Sequence, residues 1–199
     1  MEDWAFLIPA ALFMVSMTIT PGPNNVMLTA SGANYGFMRT LPHLFGILAG
    51  CFVLFASIAL GLGVVFERYP AVQSVLKVVG SVYLLYLAWK IATAPPPQFR
   101  TEGARPLSFW QGAAFQFANP KAWVMGIALM AGFLPEAGNP WLNALVLAGV
   151  AELVGLPCIA LWAGFGTAIG KVLKSATSWR WFNGTMGAMT AACVVMILG

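Results

Sequence analysis

The chain is a succession of apolar runs, each long enough to cross a bilayer, and this pattern excludes most folds at once. The runs cover about Trp4 to Ala30, Leu41 to Phe66, Ala71 to Ala92, Phe109 to Leu134, Trp141 to Phe165 and Trp181 to Leu198. A spanning helix needs roughly 20 apolar residues, whereas barrel strands would be short and would alternate polar with apolar positions. Only 8% of the 199 residues are charged and the mean hydropathy is +0.82, against about 25% charged residues in soluble domains. The expected fold is an all-α integral membrane bundle of six transmembrane helices with little mass outside the bilayer.

The net charge of +4 and pI near 9.2 do not indicate a nucleic-acid partner, because the cations are scattered among loops and form no basic stripe. They fit the positive-inside effect instead. Arg39, then Lys90, Arg100 and Arg105, then Lys171, Lys174 and Arg180 follow runs one, three and five, while the opposite side has Arg68 and Lys77. The first group is therefore expected in the cytoplasm and both termini outside. The start Met1-Glu2-Asp3 lacks the basic region of a cleaved signal peptide, so the first run is read as part of the mature protein. Cys51, Cys158 and Cys193 are isolated in apolar runs, offer neither a disulfide framework nor a redox pair, and are read as packing residues.

One run is interrupted. Thr20-Pro21-Gly22-Pro23-Asn24-Asn25 lies inside the first, and two prolines and a glycine there remove backbone donors where membrane helices are normally continuous. A loop between two half-length segments would leave each short of a span, so one broken helix is expected. The fourth run carries a comparable break at Phe117-Ala118-Asn119-Pro120-Lys121-Ala122. Superposing Pro21 on Pro120 also superposes Gly50 on Gly149 and brings Gly80 near Gly184. Between the halves, Thr93 to Ser108 contains Pro95-Pro96-Pro97 and reads as a linker that favours extended polyproline II. The chain thus divides into a first three-helix repeat (1–92), a cytoplasmic Pro-rich linker (93–108) and a second three-helix repeat (109–199). With three spans in each unit, the repeats must be inverted. Secondary transporters are often built this way, with broken helices meeting near the midplane at the substrate site.

The residues Thr20-Pro21-Gly22-Pro23-Asn24 and Asn119-Pro120-Lys121-Ala122, in a chain of about 200 residues with six short spans, resemble the LysE/RhtB family of bacterial amino-acid exporters. The resemblance covers essentially the whole chain. It implies a multi-pass protein of the bacterial cytoplasmic membrane that moves an amino acid or close derivative outward, by exchange for protons, with no cofactor. Relatives in the wider superfamily handle other solutes, including metal ions and, through paired cysteines, electrons; the missing cysteine pair argues against the last.

The expected substrate site is Pro21, Gly22, Pro23, Asn24, Asn25, Asn119, Pro120 and Lys121. Exposed amides at half-helix ends suit a carboxylate, and the asparagines can either cap the breaks or hold an amino-acid head group. Lys121 lies about half way along its run, where a lone lysine costs about 2.5 to 3.5 kcal/mol. It is expected either to face the cavity, binding a carboxylate or pairing with an acid, or only to neutralise carbonyls at the break. Glu152, in Gly149 to Gly155 of the fifth run, should lie at a similar depth. A carboxylate that gains and loses a cationic partner as a cavity opens can carry a proton, and packing is the duller role. Val53 stands at the matching place in the first half. His43 is placed at the cytoplasmic end of the second run, as a relay or a polar packing residue.

Other motifs are weaker. Gly166 to Lys171 has short glycine spacing and Val172 where a phosphate loop needs Ser or Thr, so no ATP site is indicated. Gly46/Gly50 and Gly166/Gly170 are small-xxx-small pairs that close helices within the chain or form a homodimer seam. Asn183-Gly184-Thr185 fits a glycosylation sequon but lies at a membrane helix and is read as accidental. Trp110, Trp141, Trp179 and Trp181 are placed as interfacial anchors. A metal exporter would need more intramembrane carboxylates, thiols or imidazoles. An enzyme would need a nucleophile and base or a metal set, and none is visible.

Overall fold

Proline opens four of the helices and glycine or a short polar cap closes or starts the others. A computed structural model describes residues 4–62, 68–97 and 105–195. After a 3-10 turn at Trp4–Phe6 come α1 (Leu7–Ile19), α2 (Pro23–Tyr35), α3 (Phe37–Ser57, continued by a π turn at Ile58–Leu62) and α4 (Pro70–Ala92). The second half holds α5 (Phe109–Gln116), α6 (Pro120–Phe133), α7 (Pro140–Val172) and α8 (Ala176–Ala192). Pro23, Pro70, Pro120 and Pro140 occupy first helical positions, where their fixed φ is pre-set for a helix and their missing N–H costs nothing. Ser108, Asn119, Asn139 and Ser175 accept bonds from first-turn amides of the helices that follow them. Among the described residues the ordered structure is all helical.

Phe37–Leu62, Ser74–Ala92 and Pro140–Val172 are each long and apolar enough to cross a membrane. Trp4–Ile19 and Pro23–Tyr35 pass as a fourth span when taken together across a 59° bend, and Pro120–Phe133 is a shorter apolar helix. Against the six expected runs, three helices among the described residues pass as spans, or four with the bent pair; Phe109–Gln116, Pro120–Phe133 and Ala176–Ala192 are each shorter than a span, and helix ends differ as well. Gly36 makes the first turn alone in the left-handed region, φ 83°, so Asn34 belongs to α2 and Arg39 to α3. Helix α7 continues past Phe165 to Val172 and includes Lys171, because Gly166 and Gly170 give it a packing partner over that length. Helix α8 starts before Trp181, at the Ser175 cap, and takes in Arg180. Of the linker, Arg100 and Glu102 lie outside the described residues, as do Met1–Asp3, Phe66, Glu67 and Leu198.

Helix pairs come closest where side chains are smallest. A methyl group at Gly166 would strike the Thr29 carbonyl, and one at Gly170 the Ala33 carbonyl, so α7 and α2 pack backbone to backbone. Gly46 and Gly50 of α3 lie in the same way on Phe109 and Ala113 of α5, and Gly112 answers from α5 against His43. Both glycine pairs seen in the sequence are therefore occupied within the chain. In a bilayer, where lipid is as apolar as leucine, such close van der Waals contact is what holds helices together. The matched positions are not packed alike: Gly50 and Gly80 are in contact, with Ala113 and Ala118, whereas a Cβ added at Gly149 or Gly184 would meet nothing within 4 Å beyond its own helix among the described residues, and Gly187 makes a close contact of α8 with α4. A buried cluster including Met14, Leu28, Leu44, Phe55, Leu129 and Leu147 joins α1, α2, α3, α6 and α7. Ile8, Leu12, Leu153 and Phe165 point outward, as a lipid-facing surface requires.

Candidate functional site

Breaking a helix leaves carbonyls without amide partners at one end and amides without carbonyl partners at the other. At the first break the carbonyls of Thr18, Ile19, Thr20 and Pro21 are taken by side chains from beyond α1, and Met17 O by the Thr20 hydroxyl. Asn25 Nδ2 donates to the oxygens of Thr18 (2.9 Å) and Thr20 (2.8 Å). Trp162 Nε1 donates to Ile19 O at 3.1 Å. Lys121, from the second break, donates through Nζ to Thr20 O (2.7 Å), Thr20 Oγ1 (2.9 Å) and Pro21 O (3.2 Å). An ammonium has three donors, and all three are used here. The lysine also sits on the negative end of the α1 dipole, where a cation is favoured. Its side chain runs so close to Gly22 that a methyl group there would lie 2.8 Å from Cδ.

The second break is tied to the first by a residue that the motifs pass over. Gln116, fully buried at the end of α5, pairs amide to amide with Asn24, accepting from Nδ2 at 2.8 Å and donating to Oδ1 at 3.1 Å. It also accepts from Asn119 Nδ2 at 3.1 Å and donates to Gly112 O at 2.9 Å, with Cys51 Sγ 3.5 Å away. Asn24 and Asn119 thus approach through Gln116, which both of them contact. Asn119 in turn caps α6 by accepting from Lys121 N at 3.2 Å. The only sequence signal for Gln116 is a polar residue in an apolar run, three positions ahead of Asn119.

Gly22, Asn24, Asn25, Asn119, Lys121 and Glu152 all line one cavity, together with Thr18 and an apolar wall that includes Met14, Ile47, Cys51, Phe55 and Met125. Pro21, Pro23 and Pro120 shape the breaks without lining it. Lys121 and Glu152 share the cavity but form no direct ion pair: the lysine is held by Thr20 and Pro21, and the carboxylate has no hydrogen-bond or ion-pair partner among the described residues. The Thr18 hydroxyl is also buried without a protein partner among them, a condition that costs about 1–3 kcal/mol when nothing offsets it. Cys51 is a cavity residue, and Cys158 and Cys193 are buried and free.

His43 is wholly buried in α3 beside Gly112, as the packing alternative expects, and neither ring nitrogen has a protein partner among the described residues. One expectation is corrected nearby. Trp179 is not an exposed anchor, being 3% exposed and bonded to Leu173 O, whereas Trp181 is 75% exposed. Asn183 is buried against Asn34 and Ala94 O, which leaves no room for a glycan.

Apolar helices around a largely apolar cavity, which both polar breaks and Glu152 line, define a class, a multi-pass helical membrane protein. Residues 15–198 match the LysE type translocator family, and the chain belongs to it. It is a transporter of the inner membrane and not an enzyme. It is similar to proteins described as cysteine/O-acetylserine efflux proteins. Those of Escherichia coli (strain K12) and Shigella sonnei are each 35% identical over 185 residues, 90% of either chain. That of Salmonella paratyphi A is 34% identical over 164 residues, 79% of this chain and 78% of its own. No solved structure matches the chain.

Proposed function

We propose that this protein is a secondary active exporter of a small neutral amino acid or a close derivative, driven by protons, with its site in the cavity between the two breaks. The observation that carries this reading is the cavity itself, in a chain of the translocator family: it unites both broken helices with one unpaired carboxylate, Glu152. The efflux proteins to which the chain is similar make cysteine and O-acetylserine the first cargoes to try. The architecture in this reading is six spans in two inverted three-helix repeats joined by the linker, with α5 and α6 forming one broken span and both termini outside.

The chemistry follows from what is left unbonded. Asn25, Asn119, Gln116 and Lys121 hold the breaks in shape. Glu152 is the group that offers a charge to the cavity, and it can take either the cargo's ammonium or a proton. In the proposed cycle a deprotonated Glu152 receives the ammonium from the cytoplasmic side. A proton entering from outside displaces it, the cargo leaves outward, and the proton is then released to the cytoplasm. One site exchanging two cations couples their movements in opposite directions.

Proteoliposomes loaded with cysteine, O-acetylserine and other amino acids under an imposed pH gradient test the reading. Gradient-driven efflux of an amino acid is expected; flux of metal cations alone, or of nothing, would refute it. Glu152→Gln should reach the membrane at wild-type level and lose pH-driven export, and full coupling in that variant would remove the proton role.

A further inference from the structure

A zwitterion needs donors for its carboxylate as well as an acceptor for its ammonium, and most polar side chains at the breaks have none to spare. The three donors of Lys121 are used, Asn25 Nδ2 is shared between two carbonyls, and the amide group of Gln116 bonds Asn24 and Gly112. The two half-helices that begin at the breaks differ. The first turn of α6 is capped by Asn119, whereas α2, with Gly22 at its cap position, has no side-chain cap. The leading amides of α2 therefore keep their donors and their partial positive charge. Lys121, passing Gly22, adds a positive charge beside the same turn.

Thr18 supplies the second, independent observation. It is 9% exposed, it lines the cavity next to Asn24 and Asn25, and its hydroxyl has no protein partner among the described residues. The other buried threonines, Thr29, Thr40 and Thr190, each return the hydroxyl to the carbonyl four residues back, the usual refuge of a helical Thr. Thr18 does not. Its side chain faces α7 at Gly155, where an added Cβ would lie 3.8 Å from Cγ2 and 4.0 Å from Oγ1, and Glu152 is one helical turn away on that helix. Asn25 holds the Thr18 carbonyl, which fixes this residue against the first turn of α2.

We propose that the cargo's α-carboxylate is seated at the N-terminus of α2, on the main-chain N–H groups of Asn24 and Asn25, with the Thr18 hydroxyl as the side-chain donor. The ligand class is an α-amino acid with a free carboxylate, its ammonium directed to Glu152. The assignment rests on the exporter reading above. A helix terminus alone would bind any anion; the hydroxyl on one side and the carboxylate on α7 select a zwitterion.

The test compares wild type, Thr18→Val and Thr18→Ser in proteoliposomes, with cysteine as cargo and cysteinamide as competitor. Removing one hydrogen bond to a charged group should raise the KM for cysteine about ten- to a hundredfold in Thr18→Val, with the maximal rate less affected. The same variant should discriminate less between cysteine and its amide, and Thr18→Ser should stay close to wild type. Should Thr18→Val fail to fold, Thr18→Ala removes the hydroxyl without the branched shape and is expected to show the same loss. Unchanged KM and unchanged discrimination in a folded variant lacking the hydroxyl would overturn the assignment while leaving the exporter reading in place. Wild type that carries no amino acid at all would remove both.

Discussion

Lys121 and Gln116 show how much a single side chain can do where a helix is broken. Each belongs to the second half of the chain and satisfies groups in the first: Lys121 the carbonyls of Thr20 and Pro21, Gln116 the amide of Asn24. Replacing Lys121 with Met keeps the aliphatic stem and removes the donors, so that Pro21 O and Thr20 Oγ1 lose this partner while Thr20 O keeps Asn25, at about 0.5–1.5 kcal/mol for each bond lost. A lower thermal midpoint in detergent and loss of transport are expected. Gln116→Leu should lower the midpoint as well, since Asn24 and Asn119 lose a common partner; an unchanged midpoint would show that the two breaks are not held through this residue. The sequence makes Lys121 conspicuous because an intramembrane charge is rare. It does not reveal whether the ammonium meets substrate or carbonyls, a choice decided by where a residue 101 positions away is placed. Thr18 was hidden for another reason: Thr and Ser are common in apolar helices, and only the absence of the usual back-bond marks it.

At the scale of helices, the informative positions are glycines with matched roles and unmatched surroundings. Gly166 lies on the backbone of α2, and Gly149, on the same helix, has nothing within 4 Å. Gly166→Ala should therefore separate α2 from α7 and destabilise the protein, while Gly149→Ala should be neutral or stabilising by about 0.5–1 kcal/mol, the ordinary gain from replacing a mid-helix glycine. Thermal midpoints of the two variants in one detergent check the contrast, and equal effects would contradict the packing described. Helix starts were legible, since Pro23, Pro70, Pro120 and Pro140 announce them. Helix ends were less so, because α7 runs on past Phe165 through Lys171 by virtue of a contact with α2 that no local pattern encodes.

For the whole molecule, the apolar runs and the two breaks predict a helical membrane protein whose breaks meet, and in the structure Asn24, Asn119, Lys121 and Glu152 line one cavity. That Lys121 and Glu152 form no ion pair was not legible, because a similar depth does not fix which acceptor a long side chain finds first. The proposed orientation places Arg39, Lys90, Arg105, Lys171, Lys174 and Arg180 in the cytoplasm and both termini outside. A C-terminal tag should accordingly be reached by an impermeant reagent in cells with an intact inner membrane; a protected tag would reverse the orientation or change the number of spans. In the proposed inverted arrangement Gly50 and Gly149 are equivalent, yet one is packed and the other open.

The capping of the first break by Lys121 has a consequence for biogenesis. When the ribosome has delivered the first half, Asn25 already holds Thr20 O, but Lys121, which takes Pro21 O, has not yet been made, and Asn24 still lacks Gln116. The nascent first half must therefore keep the Pro21 carbonyl in a hydrated setting, at the insertion machinery or a lipid headgroup layer, until Lys121, 101 residues beyond Thr20, arrives. A chain truncated before Gln116 is therefore expected to turn over faster than the full chain, which a pulse-chase of the two in the same membrane would check, because its first break lacks the partners that the second half brings.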